Sequence, residues 1–357
     1  MGSGNYDAVL LVSFGGPERR EDVIPFLENV TRGRSVPPER LLEVAKHYYE
    51  FGGKSPINDQ NRLLEAALRT ELSRRGPELP VYWGNRNWHP LLRDTIRTMA
   101  TEGVKRAIAF VTSAYSSYSG CRQYRENIEE ARDELGGLAP KIDKIRPFFN
   151  HPGFIEAMAH LVRSGLDVAN FETAREFTML YSAHSIPSAM AETCRYVDQL
   201  KEAAGLVSER VGIADWELVF QSRSGPPSQP WLGPDINDRL RTLPSQGVKR
   251  VCVTPIGFLS DHIEVLHDLD TEAAGVAKES GLGFIRTPTV GTDPRFVAGV
   301  RDLIAERVLS STSRKAVGAM PPCPDVCPAD CCPRPPSRRH SGQCGGGVSA
   351  QRARPQG

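Results

Sequence analysis

Short apolar runs alternate with longer amphipathic stretches along most of the chain. The apolar runs have the length of buried strands, and they fall at Ala8–Ser13, Leu79–Gly84, Arg106–Thr112, Ile142–Arg146, Phe177–Ser182, Glu217–Gln221, Arg250–Pro255 and Phe284–Thr287. Helical patterns lie between most of them, at Arg62–Arg75, Leu91–Thr101, Gln123–Glu134, Gly153–Arg163, Met190–Glu209 and Arg295–Arg307. This alternation is typical of parallel sheets covered by helices on both faces. It predicts an α/β fold of the doubly wound kind.

The alternation runs twice, which predicts two similar Rossmann-like domains, 1–150 and 151–312, with parallel sheets facing a central cleft. An insertion at about 23–57 interrupts the first half with two short helical patterns, Val23–Arg34 and Pro37–Phe51, and a Gly-rich turn. Long connections at a sheet edge often form lids or binding walls. Residues 313–357 lose periodicity and are rich in Pro and Cys, so we expect a disordered tail unless a metal orders it.

Composition excludes several classes of protein. The net charge of +1 gives no bulk attraction to nucleic acid or to an anionic membrane surface. The start of the chain lacks a signal-peptide layout, and no apolar run approaches the roughly 20 residues that span a bilayer. We therefore expect a cytoplasmic protein without a transmembrane segment. The chain also lacks G-x-G-x-x-G and G-x-x-x-x-G-K-[ST] motifs, so we expect no nucleotide cofactor.

Two predicted strands end beside ionisable residues. His184 follows the apolar run at 177–182, and Glu264 opens the helical pattern that follows the run at 250–255. Open α/β sheets bind their ligands at this edge. An imidazole and one carboxylate are too few ligands to hold iron or zinc permanently, and they leave positions open for a second partner. The pair therefore suits a site that passes a metal on, although a lone His at a strand end is often hydrogen-bonded core.

An acidic series continues from this pair. Glu264, Asp268 and Glu272 are spaced i, i+4, i+8 and share one face of the predicted helix. Carboxylate oxygens bind hydrated divalent cations, so the series could receive and relay a metal ion. A solvated acidic face is the alternative.

Aromatic and hydroxyl residues near predicted loops are candidates for the opposing wall of the cleft. They are Phe14, Tyr48, Tyr49, Ser55, Tyr115, Tyr118, Tyr124 and Trp231. Arg32, Arg34, Arg122 and Arg125 could bind ligand carboxylates through the planar guanidinium group. Core packing for the rings and surface solvation for the arginines are the alternatives.

Cysteines crowd the end of the chain, at Cys323, Cys327, Cys331, Cys332 and Cys344. In a reducing compartment such a cluster favours a metal site over a disulfide framework.

Several linked motifs resemble the ferrochelatases over about residues 6–310. They are Ser182-Ala-His184-Ser-Ile-Pro187, Pro230-Trp231-Leu-Gly-Pro234, Gly257-Phe258-Leu-Ser-Asp261-His262-Ile-Glu264, Ser13-Phe14-Gly15-Gly16-Pro17 and Tyr48–Pro56. The resemblance implies two chelatase-type domains and insertion of Fe²⁺ into a porphyrin, with Fe²⁺ as substrate. The composition resembles actinobacterial members, which favours coproporphyrin III as the porphyrin. Enzymes of the haem pathway are possible partners.

The resemblance also assigns roles by position. His184 and Glu264 match the metal pair, with His184 as the candidate base. Ser55 and Tyr124 match porphyrin-contacting positions, and His47, Tyr48 and Arg32 match the binding wall more loosely. Asp268 and Glu272 match the route of metal entry. Phe14 stands where some relatives carry a Tyr that can ligate iron, and Thr31 replaces an Arg thought to meet a propionate.

Some ferrochelatases carry a [2Fe–2S] cluster on a C-terminal extension, with one further Cys from the body near the position of Ala157. That internal Cys is missing here, so the resemblance implies a local set of Cys323, Cys327, Cys331 and Cys332. A zinc site or an unstructured tail is the alternative.

Other functions remain open from the sequence. The porphyrin could be protoporphyrin IX, or the chain could be a cobaltochelatase-type enzyme of siroheme or cobalamin synthesis. A porphyrin or haem carrier without turnover is a different class. A periplasmic metal-binding protein is disfavoured by the missing signal peptide.

Overall fold

The computed structural model describes residues 6–33, 36–169, 177–226 and 228–334, and it contains two parallel four-stranded sheets. The first sheet has the order β2-β1-β3-β4 and is built from β1 Ala8–Ser13, β2 Val81–Asn85, β3 Arg106–Val111 and β4 Lys141–Lys144. The second has the order β6-β5-β7-β8 and is built from β5 Thr178–His184, β6 Trp216–Gln221, β7 Arg250–Thr254 and β8 Gly283–Arg286. The repeated order confirms two Rossmann-like sheets, and all eight predicted strands are present.

Helices cover both sheets. They are α1 Val23–Val30, α2 Pro38–Glu50, α3 Ile57–Arg75, α4 Leu92–Thr101, α5 Gln123–Asp133, α6 Pro152–Val168, α7 Ser188–Ala191, α8 Tyr196–Val211, α9 Ile236–Thr242, α10 Ile263–Val265, α11 Ala274–Glu279 and α12 Pro294–Val308. Two segments with π-helical hydrogen bonds join this set, Tyr118–Arg122 before α5 and Leu266–Ala273 between α10 and α11. The insertion forms α1 and α2, as its pattern predicts.

The single helix predicted over Met190–Glu209 is wrong, because the chain turns between α7 and α8. The Thr193 hydroxyl donates to the Met190 carbonyl at 2.9 Å, and the Cys194 thiol donates to the same oxygen at 3.3 Å. Side chains that bond to nearby backbone oxygens compete with the helical hydrogen bonds. The first helix therefore ends here, and a second begins at Tyr196.

One hydrophobic core spans both sheets. It includes Leu11 of β1 and Tyr181 of β5, both fully buried, together with side chains of α6 and α12 that lie between the sheets. Helix α12 belongs to the second half of the sequence but packs against α3 of the first half as well as α6. The two sheets therefore share their packing, while the exact domain boundaries at 150 and 312 stay a prediction.

The described part of the tail packs against the body without forming a helix or strand. The Asn150 carbonyl accepts a hydrogen bond from the Val317 amide at 2.9 Å, and the Asn150 side chain donates to the Met320 carbonyl at 2.8 Å. The Glu202 carboxylate accepts from the Ala319 amide at 2.6 Å. Residues 313–334 therefore pack against the body, in the part of the chain where the sequence predicts disorder unless a metal orders it. Residues 335–357, which include Cys344, lie outside the described part.

None of the helices in the described ranges is both long and apolar enough to cross a bilayer.

Candidate active site

His184 is the last residue of β5, in register with Gln221 at the end of β6. Its Nδ1 atom lies 2.5 Å from the carbonyl oxygen of Ser185, which can only accept a hydrogen bond. The contact therefore assigns the proton of the neutral ring to Nδ1. Nε2 then keeps a free lone pair, and it faces Glu264 Oε2 at 3.6 Å.

Glu264 stands in α10, just after the end of β7, so two parallel strands deliver the pair to one sheet edge. Desolvation in the cleft opposes ionisation, but the hydrogen bond and positive charge of His184 outweigh it and lower the pKa of Glu264 to about 2. Desolvation likewise acts against the charged imidazole, and Glu264 outweighs it to raise the pKa of His184. The two side chains stabilise each other's charged forms.

The pair is open to the cleft, with 36% of the His184 side chain and 48% of the Glu264 side chain exposed. His262, the residue before α10, lies close enough for its charge to interact with both, although the sequence did not single it out. A metal ion or a flat ligand can therefore reach His184 Nε2 directly.

The acidic series lies on the π-helical segment Leu266–Ala273 rather than on the continuous α-helix that its spacing predicts. Asp268 is only 16% exposed, and it accepts hydrogen bonds from the Ser222 hydroxyl and from Gln221 Nε2 at 3.3 Å. Burial raises the pKa of Asp268 to about 6, with Glu264 and Glu272 adding to the shift. The alternative of a solvated acidic face fits Glu272, which is exposed, but it does not fit the mostly buried Asp268.

His267, Asp268 and Glu272 each place one ligand atom within 4.8 Å of the others, which makes them a possible metal-binding group. The sequence reasoning included the two carboxylates and missed His267. Local spacing could not reveal that the imidazole joins them.

Aromatic rings form the opposing wall. Phe14 packs against Phe26 with ring centroids 6.3 Å apart, and Phe26 packs against Tyr48 at 5.9 Å and Trp88 at 6.1 Å. Tyr48 is buried beside Glu264, and burial and that charge both raise the pKa of its hydroxyl. Phe26 and Trp88 were not singled out by the sequence, because their role depends on the packing of α1.

Ser55 and Tyr124 are candidates that the structure places in the first half of the molecule. Ser55 is 2% exposed, and its side chain lies so close to Gly16 that a Cβ there would approach the Ser55 oxygen to 2.9 Å. Tyr124 is also buried, and the Arg86 guanidinium lies 4.6 Å from its ring centroid. Arg86 lies 5.7 Å from the Phe14 ring as well, so this unpredicted arginine connects the two candidates.

Trp231 and the candidate arginines lie on different elements. Trp231 pairs with Pro187 in an isolated bridge, and its indole N–H is buried without a partner among the described residues. Arg32 is exposed just beyond α1, and its side chain makes no ion pair within the described ranges. Arg34 lies outside those ranges. Arg122 and Arg125 line a cavity at the tail, away from His184.

That cavity has a volume of about 580 Å³ and lies between α5, β4 and the tail. Cys121, Cys327, Cys331 and Cys332 line it, and the sulfur atoms of Cys331 and Cys332 are 3.5 Å apart. Burial, together with the nearby Cys331 and Cys121 thiols, raises the pKa of Cys327 to about 11. Cys323 lies close by and accepts a hydrogen bond from Gln199 at 3.5 Å.

A cysteine from the body of the protein therefore lies beside the tail cysteines that the sequence analysis considered alone. Cys121, in the π-helical segment Tyr118–Arg122, brings a body thiol to the tail cysteines, whereas the sequence reasoning looked for that Cys near Ala157. The chain position of Cys121, about 200 residues before the tail, hid this contact.

The chain resembles known proteins over most of its length. The sequence profile of the ferrochelatase family matches residues 6–308. The chain is 52% identical to a ferrochelatase of Rhodopirellula baltica over 93% of this chain and 95% of that protein. It is 49% identical to the coproporphyrin III ferrochelatase of Streptomyces griseus subsp. griseus over 92% of this chain and 93% of that protein.

Solved structures support the fold. SirB from Bacillus subtilis, solved with Fe³⁺, superposes with a TM-score of 0.52 at 12% identity, covering 87% of this chain and 99% of that chain. A multi-domain protein of Deinococcus radiodurans with similarity to chelatases gives a TM-score of 0.53 at 18% identity, covering 87% and 56%. The fold is thus shared with chelatases, and the sequence match shows that this chain belongs to the ferrochelatase family, whose members are metal chelatases of the lyase class.

Proposed function

We propose that this protein inserts Fe²⁺ into coproporphyrin III to give iron coproporphyrin. The observation that carries the proposal is the pair at the sheet edge, where His184 Nε2 is free and faces Glu264 at 3.6 Å. Metallation of a porphyrin removes two N–H protons and places Fe²⁺ on the four ring nitrogens, with no change of oxidation state. The reaction therefore needs a base and a weak metal ligand in an open cleft.

The two side chains can act in sequence. Neutral His184 accepts a pyrrole proton at Nε2, and the Glu264 carboxylate stabilises the imidazolium that forms. The proton then leaves to solvent, which reaches both groups, and His184 is free to accept the second proton. Each transfer is a general-base step, for which a positioned side chain contributes about 10²–10⁴-fold in rate.

The wall supplies the surface on which the macrocycle lies. We propose that Phe14, Tyr48, Ser55 and Tyr124 contact the porphyrin. Trp231 would contact the porphyrin from the other half, and exposed Arg32 would meet a propionate. Asp268 and Glu272 would guide the entering ion.

The identity of the porphyrin substrate is a more specific part of the proposal. Coproporphyrin III is favoured because relatives from Streptomyces griseus and Frankia alni, at 49% and 50% identity, carry that name. Protoporphyrin IX is the second candidate, since the relative from Rhodopirellula baltica is named only as a ferrochelatase. A cytoplasmic location and contacts with haem-pathway enzymes stay predictions.

The test is anaerobic Fe²⁺ insertion by the purified protein, with coproporphyrin III and protoporphyrin IX assayed in parallel. We expect faster metallation of coproporphyrin III and its loss in His184→Ala, while His160→Ala, a partly exposed histidine of α6, keeps the wild-type rate. Faster turnover of protoporphyrin IX would assign the other substrate. Porphyrin binding without metallation of either compound would identify a carrier.

We also propose that the cavity at the tail holds a [2Fe–2S] cluster. Four cysteines from two parts of the chain line it, and burial among other thiols raises the pKa of Cys327. These residues fit a thiolate-bound cluster, with Cys121, Cys327, Cys331 and Cys332 as ligands and Cys323 as the alternative fourth. When bound, the cluster would supply one-electron redox chemistry, which iron insertion does not require. The cysteines would tie the tail to the body.

The visible spectrum and the iron and sulfide contents of the resting protein test this site. Two irons and two sulfides per chain are expected, and Cys121→Ser should lose them while Cys252→Ser, a buried strand cysteine, should not. Zinc in place of iron and sulfide, or an unchanged cluster in Cys121→Ser, would contradict the proposed site.

A further inference from the structure

The backbone of His184 is held by a side chain of helix α8 rather than by a strand. The pairing of β5 with β7 ends at Tyr181, before His184 is reached. The Ser182 carbonyl still accepts a hydrogen bond from the Gly257 amide at 3.0 Å, on the β7 side. Carbonyl groups two residues apart in a strand point the same way, so the His184 carbonyl points to the side where β7 has already ended. There it accepts a hydrogen bond from the Tyr196 hydroxyl at 3.1 Å.

The Tyr196 side chain is itself fixed by its surroundings. The residue is 7% exposed, and its ring meets the Tyr115 ring edge-on, with centroids 6.1 Å apart. The Tyr115 hydroxyl donates to the Ile256 carbonyl at 2.9 Å, in the chain that follows β7. Burial raises the pKa of the Tyr196 hydroxyl, so the group stays protonated and can donate. The position of the His184 backbone therefore depends on where α8 lies.

Gln199 joins α8 to the first half of the molecule. It stands one turn after Tyr196 and is 1% exposed. Its Oε1 atom accepts a hydrogen bond from the Ser116 amide at 2.7 Å, and its Nε2 atom donates to the Ser116 hydroxyl at 3.0 Å. Nε2 also donates to the Cys323 sulfur of the tail at 3.5 Å. Because Ser116 follows β3, this one amide connects the first sheet and the tail to the helix that holds His184.

From these contacts we propose that Tyr196 and Gln199 are positioning residues, which together hold the His184 imidazole at a fixed place relative to the first half. The inference rests on the proposed function, since it assigns them a role in iron insertion. His184 Nδ1 lies 2.5 Å from the Ser185 carbonyl oxygen, so a displacement of this backbone also displaces the ring. A base must lie within hydrogen-bond reach of the proton that it accepts, and a shift of about 1 Å can lower a rate by about 10²-fold.

Tyr181 provides a matched control for Tyr196. It is also a buried tyrosine that connects β5 to α8, because its hydroxyl oxygen lies 2.8 Å from Ser208 Oγ in the last turn of the helix. Tyr181→Phe and Tyr196→Phe each remove one buried hydrogen bond between the same strand and helix. Both should therefore lower thermal stability to a similar extent, but only Tyr196 holds the peptide of His184.

The first test measures anaerobic Fe²⁺ insertion into coproporphyrin III by the full-length protein. We expect Tyr196→Phe and Gln199→Leu each to lower kcat roughly tenfold or more with little change in the porphyrin KM, while Tyr181→Phe keeps the wild-type kcat. The double variant should fall no further than Tyr196→Phe, because Gln199 acts through Tyr196. Wild-type kcat in both single variants, an equal loss in Tyr181→Phe, or a further loss in the double variant would overturn the proposal.

A second measurement does not depend on turnover. Long-range ¹H–¹⁵N NMR spectra of the histidine rings, recorded with the rings neutral, report which nitrogen of His184 carries the proton, and His184→Ala identifies the signals. Tyr196→Phe and Gln199→Leu should lose the Nδ1 proton signal of the wild type, whereas Tyr181→Phe should keep it. Unchanged ring signals in the first two variants would overturn the proposal. If the wild type metallates neither porphyrin, the proposed function fails by itself, and the ring signals alone decide whether α8 positions His184.

Discussion

The carboxyl edges of the two sheets have the same topology and opposite chemistry. The last register pair of β1 and β2 in the first sheet is Ser13 and Asn85, and that of β5 and β6 in the second is His184 and Gln221. Ser13 accepts a hydrogen bond from Asn61 at 2.8 Å, and the Asn85 amide donates to Asn58 at 3.1 Å. The buried residues of the first edge are thus neutral side chains, whereas the second edge carries groups that ionise.

Burial follows the same division. Ser13, Asn58, Asn61 and Asn85 are fully buried, while about a third of the His184 side chain and half of the Glu264 side chain are exposed. Buried neutral amides fix backbone geometry without the desolvation cost of a charge. The comparison teaches that one half of a repeated architecture can provide a rigid support while the other provides proton and metal chemistry.

The largest effect is expected for His184→Ala. Loss of the base should lower the iron insertion rate by about 10²–10⁴-fold, because no neighbouring group at the first edge can replace it. Porphyrin binding, followed by fluorescence quenching, should persist. Retained insertion at near the wild-type rate would show that the two edges are not divided in this way.

The second effect is a shift of the pH profile in Glu264→Gln. Glu264 raises the pKa of His184 above the ordinary value of 6.5, and only the neutral imidazole can accept a pyrrole proton. The wild-type rate should therefore rise with pH through a pKa above 6.5, and the rise should move to lower pH in the variant. If the rise in rate occurs at the same pH in Glu264→Gln as in the wild type, a group other than His184 controls it.

A smaller effect is expected for Arg86→Ala beside the first edge. The cation–π contacts with Tyr124 and Phe14 are worth about 0.5–1 kcal/mol, so the porphyrin KM should rise about two- to fivefold with little change in kcat. Arg86→Lys keeps the charge, so its porphyrin KM should lie between those of the wild type and Arg86→Ala. A fall in kcat of the size expected for His184→Ala would place Arg86 in the chemistry instead.

The smallest effect on the reaction is expected for Asn85→Ala. Removing its amide leaves the buried oxygens of Asn58 and His89 without this donor, which should lower the free energy of unfolding by about 1–3 kcal/mol. Urea denaturation measures this loss, and the pH profile of insertion at permissive temperature should not move. A shifted profile would connect the neutral side chains of the first edge to the ionisable edge.

Periodicity predicted the strands because each is a continuous apolar run, and it placed His184 correctly at the end of β5. It missed the π-helical segment, since residues four apart stay near one face in either kind of helix. The break between α7 and α8 depends on side-chain bonds of Thr193 and Cys194 to one carbonyl, which leave no periodic signal.

The site residues that the sequence did not predict were missed for a different reason. Arg86, His267 and Cys121 become functional candidates only through contacts with residues far away in the sequence. No local pattern encodes that His47 lies against His267, or that Cys121 lies beside Cys331. Such contacts follow from the packing of complete elements.

The shared core has a mechanical consequence. Two-lobed proteins that open like a hinge need lobes with separate interiors, so that rotation exposes little apolar surface. Here Leu11 and Tyr181 belong to one hydrophobic cluster, and α12 packs against α3. Rotation of one sheet away from the other would therefore expose apolar side chains to water. The two sheets should therefore move as one rigid body. Entry and exit of a planar ligand should depend on displacement of α1 and α2 at the edge of the cleft.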